Sequence, residues 1–322
     1  MIKLLAEGEV MTSLVISHKK KIFLAGFLLL ILFLVFKGIP VTSWGPSGNY
    51  ENVSVRTTVN VTNSYPEILN ITCNNGTAIT LTAGSTYTVS CLVEIRDYNG
   101  GGDVNLINGT FYYYTNESSD PDNNNSHYTN TSCNQSGAVS GYYVNWTCAF
   151  DVWYYAVNGT WEANVTVNDS YGSTDNDYNN ATISALLALN VTDVIDFGNL
   201  PVTNTSDLIE ANVTNFGNVP INVSVYGFGG ENEVLYAGLA MVCEQRNLTL
   251  PNERYSLNST ALYADMTSVT GSPVIVPALT VEKQTQPSVY MVNSTYWRLH
   301  INLTTNPFGV CNGTVVFAAE SP

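Results

Sequence analysis

The chain has 322 residues, of which 45% are hydrophobic and only 11% charged, with a formal net charge of −15. That length allows about two domains with real cores. From Trp44 onward 24 acids face six bases, a balance of −18. Phosphate backbones repel such a surface, which excludes nucleic acid as a partner.

Five of the six lysines (Lys3, Lys19, Lys20, Lys21 and Lys37) precede residue 38. Residues 19–21 lead into an unbroken apolar run, 22–36, closed by Lys37, Gly38 and Pro40. As a helix the run spans about 22 Å, short of a ~30 Å hydrocarbon core, which favours the h-region of a signal peptide. Val41 and Ser43 then occupy the −3 and −1 positions of a cleavage site before Trp44. An uncleaved signal anchor, a hydrophobic transmembrane helix, is the rival, and Met11 is an alternative start. A pilin-type leader fits less well, because the junction before Ile22 lacks a small residue. In either main case the lysines stay inside and everything after residue 43 is exported.

Alternation with period two runs along most of the chain after residue 50, with no convincing amphipathic helix. Val53, Val55, Thr57, Val59 and Val61 share one face of an early strand. Tyr87, Val89, Cys91, Val93 and Ile95 share another, and Trp161, Ala163, Val165 and Val167 alternate with Glu162, Asn164, Thr166 and Asn168. Clusters of Gly, Asn and Asp at 97–103, 120–126, 168–180, 198–199 and 227–232 read as turns. Many short strands with such turns predict an all-β fold of tandem Ig-like β-sandwiches behind an N-terminal hydrophobic helix. The expected parts are 1–43 (signal peptide or anchor), 44–63 (extended strand or linker), 64–184 (first sandwich) and 185–322 (second). Asn60 to Asn63 with Asn70 echoes Asn212 to Asn215 with Asn222 at the same offset, which reads as shared hairpin chemistry.

Twenty-three Asn-x-Ser/Thr triplets lie between Asn52 and Thr314, where chance at 38 asparagines gives about eight. Each is a potential N-glycan acceptor on an exported surface. The candidates singled out are Asn52, Asn60, Asn70, Asn75, Asn108, Asn116, Asn145, Asn158, Asn164, Asn190, Asn212, Asn222, Asn247, Asn258, Asn293, Asn302 and Asn312. Nine triplets carry Val, Ile or Leu in the middle. On a strand that puts the Asn and the hydroxyl in solvent and the middle residue in the core. A plain polar strand face would explain the same pattern without sugar.

Six cysteines (Cys73, Cys91, Cys133, Cys148, Cys243, Cys311) form an even count in an oxidising compartment and predict three disulfides. Of 15 possible pairings, Cys73–Cys91, Cys133–Cys148 and Cys243–Cys311 keep each bond within one domain. No Cys-x-x-Cys or neighbouring His supports zinc.

The stretches 195–225 and 152–169 carry a resemblance. The first, with Asp196-Phe-Gly-Asn and Asn215-Phe-Gly-Asn, resembles the opening of Ig-like surface domains in archaeal envelope proteins. The second, Val152-Trp-Tyr-Tyr through Asn168-Asp, is similar to the penultimate hairpin of extracellular Ig-like domains. The resemblance implies a cell-surface or S-layer-associated glycoprotein, with no active site to carry over.

The chemistry-bearing residues are few. His18, His127 and His300 form no Ser/His/Asp or metal-ligand spacing. His127 is expected in an Asn-rich loop and His300 in a strand. No cofactor is implied apart from calcium. Asp97, Asn99, Gly101 and Asp103 alternate through a Gly-rich loop as hard oxygen ligands would, and Asp169, Asp175 and Asp177 make a second acidic loop. A solvated turn is the bland alternative. The aromatic runs 111–114 and 153–155 are candidate sugar-stacking faces, although alternation buries one residue of each adjacent pair. The expected function is a non-enzymatic structural component of the cell surface, in an envelope, S-layer or filament. Its partners would be copies of itself or other envelope proteins, its own N-linked glycan, and the membrane if the helix stays uncleaved. The alternatives are an adhesion or carbohydrate-binding module and a secreted glycoside-active enzyme.

Overall fold

The structure, a computed structural model, describes residues 55–322. The apolar run 22–36, the cleavage position and the triplet at Asn52 lie outside the described residues. Among those described, no helix is long and apolar enough to cross a membrane. Residues 55–66 form no strand, and Val55, Val59 and Val61 are each more than 80% exposed. The expectation of an early strand is corrected for this part: with its valines in solvent the alternation has no core to serve.

Eight strands build the first sandwich: β1 (Glu67–Cys73), β2 (Thr86–Arg96), β3 (Val104–Tyr113), β4 (His127–Asn130), β5 (Asn134–Gln135), β6 (Tyr143–Trp153), β7 (Gly159–Asp169) and β8 (Thr174–Ile183). They form two antiparallel sheets, β1-β2-β6-β5 and β4-β3-β7-β8, the strand order of an Ig-like sandwich. Period-two patterning decides which side is inside. Val89, Cys91, Val93 and Ile95 of β2 and Trp161, Ala163, Val165 and Val167 of β7 are all buried. Phe111 stacks on Trp161 at 4.9 Å and on Phe150 of the opposite sheet at 5.6 Å. The Trp161 indole donates its Nε1–H to the Val157 carbonyl at 2.7 Å, so its polar end costs little to bury. Gly109 of β3 suits this closeness, since a Cβ there would lie 3.1 Å from Cys148 Sγ and press the neighbouring side chains aside by a few tenths of an ångström.

The second sandwich comprises β9 (Leu189–Val191), β10 (Ile209–Asn215), β11 (Ile221–Gly229), β12 (Leu239–Gln245), β13 (Leu248–Thr249), β14 (Glu253–Ser256), β15 (Thr267–Ser268), β16 (Val274–Val281), β17 (Val292–Leu299) and β18 (Phe308–Glu320). Its sheets run β15-β14-β17-β10-β9 and β13-β12-β18-β11-β16. The first keeps the Ig-like order. In the second, β12 holds the place beside β18 that a following strand holds in an Ig domain. Trp297, fully buried, packs between Tyr255 at 5.5 Å and Phe317 at 5.8 Å.

Each sandwich has its own buried cluster, and a polar-and-aromatic seam joins them. Tyr154 packs edge-on to Phe216 at 5.7 Å, and its hydroxyl donates to Gln284 Oε1. Asn218 ties the connecting segment down, accepting from Leu186 N–H at 2.7 Å and donating to the Ser184 carbonyl at 3.0 Å. Lys283 donates to Asn125 Oδ1 at 2.6 Å and the Tyr155 carbonyl at 3.1 Å, and burial pulls its ammonium pKa down to about 8.

Other expectations are also corrected. Within 168–180, expected as a turn, residues 174–180 belong to edge strand β8, whose residues are polar on both faces; its ladder to β7, not a buried face, holds it. The stretch 152–169 is no hairpin, because β6 and β7 lie in different sheets. Nor are β10 and β11 a hairpin, and residues 60–63 lack the strand that 212–215 form, so the echo between the halves is not structural. His300 stands just beyond β17, in an isolated bridge to Thr205.

Candidate functional site

At one end of the first sandwich three carboxylates converge from distant parts of the chain. Asp97 follows β2, Asp103 ends a short 3-10 turn (Gly101–Asp103) before β3, and Asp169 closes β7. One oxygen from each lies within 4.8 Å of the others. The glycine-rich loop allows this approach: a Cβ on Gly101 would sit 2.7 Å from the Tyr143 carbonyl oxygen, and Gly100 has φ 126°. Asp97 is fully buried; its Oδ1 accepts the Asn99 N–H at 2.8 Å while its Oδ2 has no partner. Asp103 Oδ2 is likewise buried without a partner. Asp169 is better satisfied. Its Oδ1 accepts the N–H groups of Tyr171 and Ser173 at 2.9 and 2.7 Å, and its Oδ2 accepts Asn63 Nδ2 at 2.5 Å.

The electrostatics follow from this geometry. Burial pushes the Asp103 carboxyl pKa up, and the charges of Asp97 and Asp169 push the same way. Burial also pushes Asp169 up, but its hydrogen bonds from Asn63, Ser173 and Tyr171 outweigh it and hold the group below its ordinary value. Among the described residues, the ion pairs are Arg96–Glu67 and His127–Asp122, so no basic side chain is salt-bridged to the cluster.

The spacing of the glycine-rich loop points to Asp97 and Asp103 but groups Asn99 with them and Asp169 elsewhere. Asn99 instead holds the backbone, its Oδ1 accepting the Ser64 N–H at 2.5 Å. The second acidic group disperses, for Asp175 accepts the Ile68 N–H at 2.8 Å and Asp177 is exposed. Sequence reasoning misses Asn63. The only available signal is its polarity, and its place beside Asp169 is set by folding across 106 residues.

The triplets form a second feature. Among the described residues, none of the 22 triplet asparagines is buried, whereas the three buried asparagines, Asn215, Asn218 and Asn252, all lie outside triplets. Five of the apolar middle residues (Ile71, Val165, Val213, Val223 and Leu248) are buried as expected and Val191 is half-buried. Val61 and Leu303 are exposed, which corrects the rule there. Residue 61 lies outside any strand, and Asn302 folds a turn by accepting from Thr305 N–H and Oγ1 at 3.0 and 2.9 Å. At Asn70, Asn116, Asn130, Asn164, Asn293 and Asn302 the side-chain nitrogen already donates within the protein.

The disulfides are Cys73–Cys91, Cys133–Cys148 and Cys243–Cys311, with no free cysteine. Cys73 and Cys91 face each other across β1 and β2, and Cys243 and Cys311 across β12 and β18.

The aromatic runs are packed more deeply than alternation allows. Phe111 and Tyr112 are both buried, the latter stacked on His127 at 5.7 Å and donating to Glu162 at 3.0 Å. Tyr154 and Tyr155 are both buried because the chain leaves β6 there and crosses between sheets. Trp153, half-buried, stacks on Tyr155 at 5.7 Å. The exposed aromatic pair is instead Tyr98 and Tyr142, 5.7 Å apart, with the Arg96 guanidinium 4.9 Å over the Tyr98 ring. His127 is fully buried at the start of β4, not in an open loop. Its Nδ1 lies 3.2 Å from Asp122 Oδ1 and its Nε2 has no partner. His300 Nδ1 meets Thr205 Oγ1 at 3.0 Å. A polar cleft of about 460 Å³ lies at the seam between residues 122–125 and 285–287.

No family model matches the chain, and no curated protein matches it. Solved structures give faint likenesses. One is a structure described in terms of the promiscuous specificity of carbohydrate-binding modules of the β-sandwich superfamily, at 8% identity and TM-score 0.24, covering 80% of this chain and 98% of that one. Another is a DUF4466 family protein from Parabacteroides merdae, at 9% and 0.24, covering 74% and 100%. A third is the C-terminal domain of the Streptococcus agalactiae AgI/II polypeptide BspA, at 10% and 0.21, covering 80% and 95%. Likenesses this faint assign neither family nor activity.

Proposed function

We propose that this chain is an exported, non-catalytic glycoprotein of the cell surface, whose two disulfide-held sandwiches serve as a structural unit of an envelope layer or filament. The observation that carries the reading is the sorting of asparagines. Among the described residues, those in triplets stay at the surface and those that are buried lie outside triplets, as glycan acceptors require. Three disulfides fit an oxidising compartment, and the low-lysine acidic surface would stay hydrated through sugar. Peptide mapping of the native protein from its own cells tests this. Glycan on exposed sites such as Asn75, Asn145, Asn158 and Asn190 is expected; bare asparagines with free thiols would overturn it.

A second reading, carbohydrate binding, is favoured by the exposed Tyr98–Tyr142 pair. Two tilted rings with a guanidinium over one of them offer faces on which a sugar can stack. Glycan-array binding that is lost in Tyr98→Ala and kept in Trp153→Phe would favour this reading over a purely structural one.

A further inference from the structure

We infer that the cluster of Asp97, Asp103 and Asp169 holds a calcium ion, and that this ion secures the incoming chain at Asn63 to the first sandwich. Three acidic residues near one another are common and prove nothing. Here the observation that points to a ligand is separate from their proximity: Asp97 is fully buried, and its Oδ2 has no hydrogen-bond partner. A buried carboxylate oxygen without a protein donor is strongly unfavourable, because the protein does not replace its lost hydration. Asp103 Oδ2 repeats the pattern in the same cluster. Among the described residues no basic group is paired with the three charges. One cation would satisfy all of these groups together.

The donors decide which cation. All are oxygens, which suits a hard ion and not zinc or copper. They come from a turn, a strand end and a loop, and a cage of several protein carboxylates suits calcium over magnesium, which binds through one or two carboxylates and keeps several of its waters. An affinity on the order of 0.1–1 mM, as in extracellular modules, is expected.

The link to the chain's approach rests on Asn63. Its amide nitrogen donates to Asp169 Oδ2 at 2.5 Å and to Ser173 Oγ at 2.9 Å, while its own Oδ1 is buried without a partner. That amide is seated on a cluster carboxylate, which ties the approaching chain to the site. The Ser64 N–H holds Asn99 Oδ1 just beyond. Ion, Asp169 and Asn63 would therefore order together, fixing the backbone ahead of β1.

The test uses the whole exported protein and calcium chloride alone, against EGTA and against magnesium. Calcium should raise the melting temperature and slow protease cleavage within residues 55–66, and calorimetry should show one site. Asp103→Asn distinguishes a binding role from a structural one. Removing one of three repelling charges should leave the calcium-free protein as stable as the parent or more so, while at least a tenfold loss of calcium affinity follows. Asn63→Ala should keep binding at reduced affinity and lose the protease protection. No heat and no melting shift at 10-fold the expected affinity range, on folded protein, would overturn the proposal. So would equal responses to calcium in Asp103→Asn and the parent, or calcium binding without protection of residues 55–66.

Discussion

The two sandwiches share an Ig-like sheet, a fully buried tryptophan and a disulfide between facing strands, yet they handle buried acids in opposite ways. The first buries Asp97 and Asp169 at its end, where backbone N–H groups and Asn63 meet some of their oxygens. The second buries Glu253 on β14, and burial alone pushes its carboxyl pKa up to about 8. The first holds Asp169 below its ordinary value through hydrogen bonds from Asn63, Ser173 and Tyr171. The other keeps its acid by leaving it protonated. Similar architecture thus carries different dependence on solution conditions, because the polar groups, not the apolar layers, respond to protons and ions.

The largest effects should come from the two tryptophans. Trp161→Ala and Trp297→Ala should each cost about 3–5 kcal/mol, and calorimetry should show each lowering the melting of its own sandwich first. If both variants lower one common transition equally, the sandwiches melt as a single unit and the contrast between them is lost. Removal of Cys243 and Cys311, which close a 68-residue separation, should cost about 4 kcal/mol, against about 3 for Cys133 and Cys148 with a separation of 15. Denaturant titration of the two double-alanine variants measures the order.

Glu253 gives a pH dependence with a definite sign. Between an ordinary value of 4.5 and a folded value of about 8, the unfolded chain holds fewer protons than the folded one. Stability is therefore full at acid pH and falls as pH rises through this window, by up to ~1.4 kcal/mol per unit. Glu253→Gln should flatten the profile of the second sandwich from pH 5 to 8 and leave the first unchanged. The smallest effect concerns the seam. Lys283→Met removes donors to Asn125 and the Tyr155 carbonyl and should cost about 1 kcal/mol, read as a wider separation of the two melting steps.

How much of this is legible in the sequence depends on whether the signal is local. The faces of β2 and β7 can be read directly, because Val89 to Ile95 alternate with mostly polar neighbours (Leu92 excepted) and Trp161 to Val167 with polar ones. Strand β8 cannot, since Thr174 to Asn180 offers no apolar face and is held by its neighbour's backbone. The valines at 55, 59 and 61 give the reverse error: a strand pattern with nothing to cover it. The carboxylate cluster is half visible. Asp97 and Asp103 share one loop, but Asp169 and Asn63 join them only through the fold, and Asn99 looks like a ligand because spacing cannot show which way a turn residue points.

The position of β12 beside β18 has a consequence for the order of assembly. All eight strands of the first sandwich are complete by Ile183, so that half can close while the rest of the chain is still being synthesised. The second cannot. Its sheet β13-β12-β18-β11-β16 has β18 at its centre, so β12 and β11 wait for residues 308–320 before either gains that neighbour. During that wait their backbone edges are open, and the charge-poor surface around them has few lysines to discourage mispairing. Cys243 waits with them for Cys311. The late strand makes the second half the vulnerable one in biogenesis, and the half in which an oxidant or a chaperone would act to most effect.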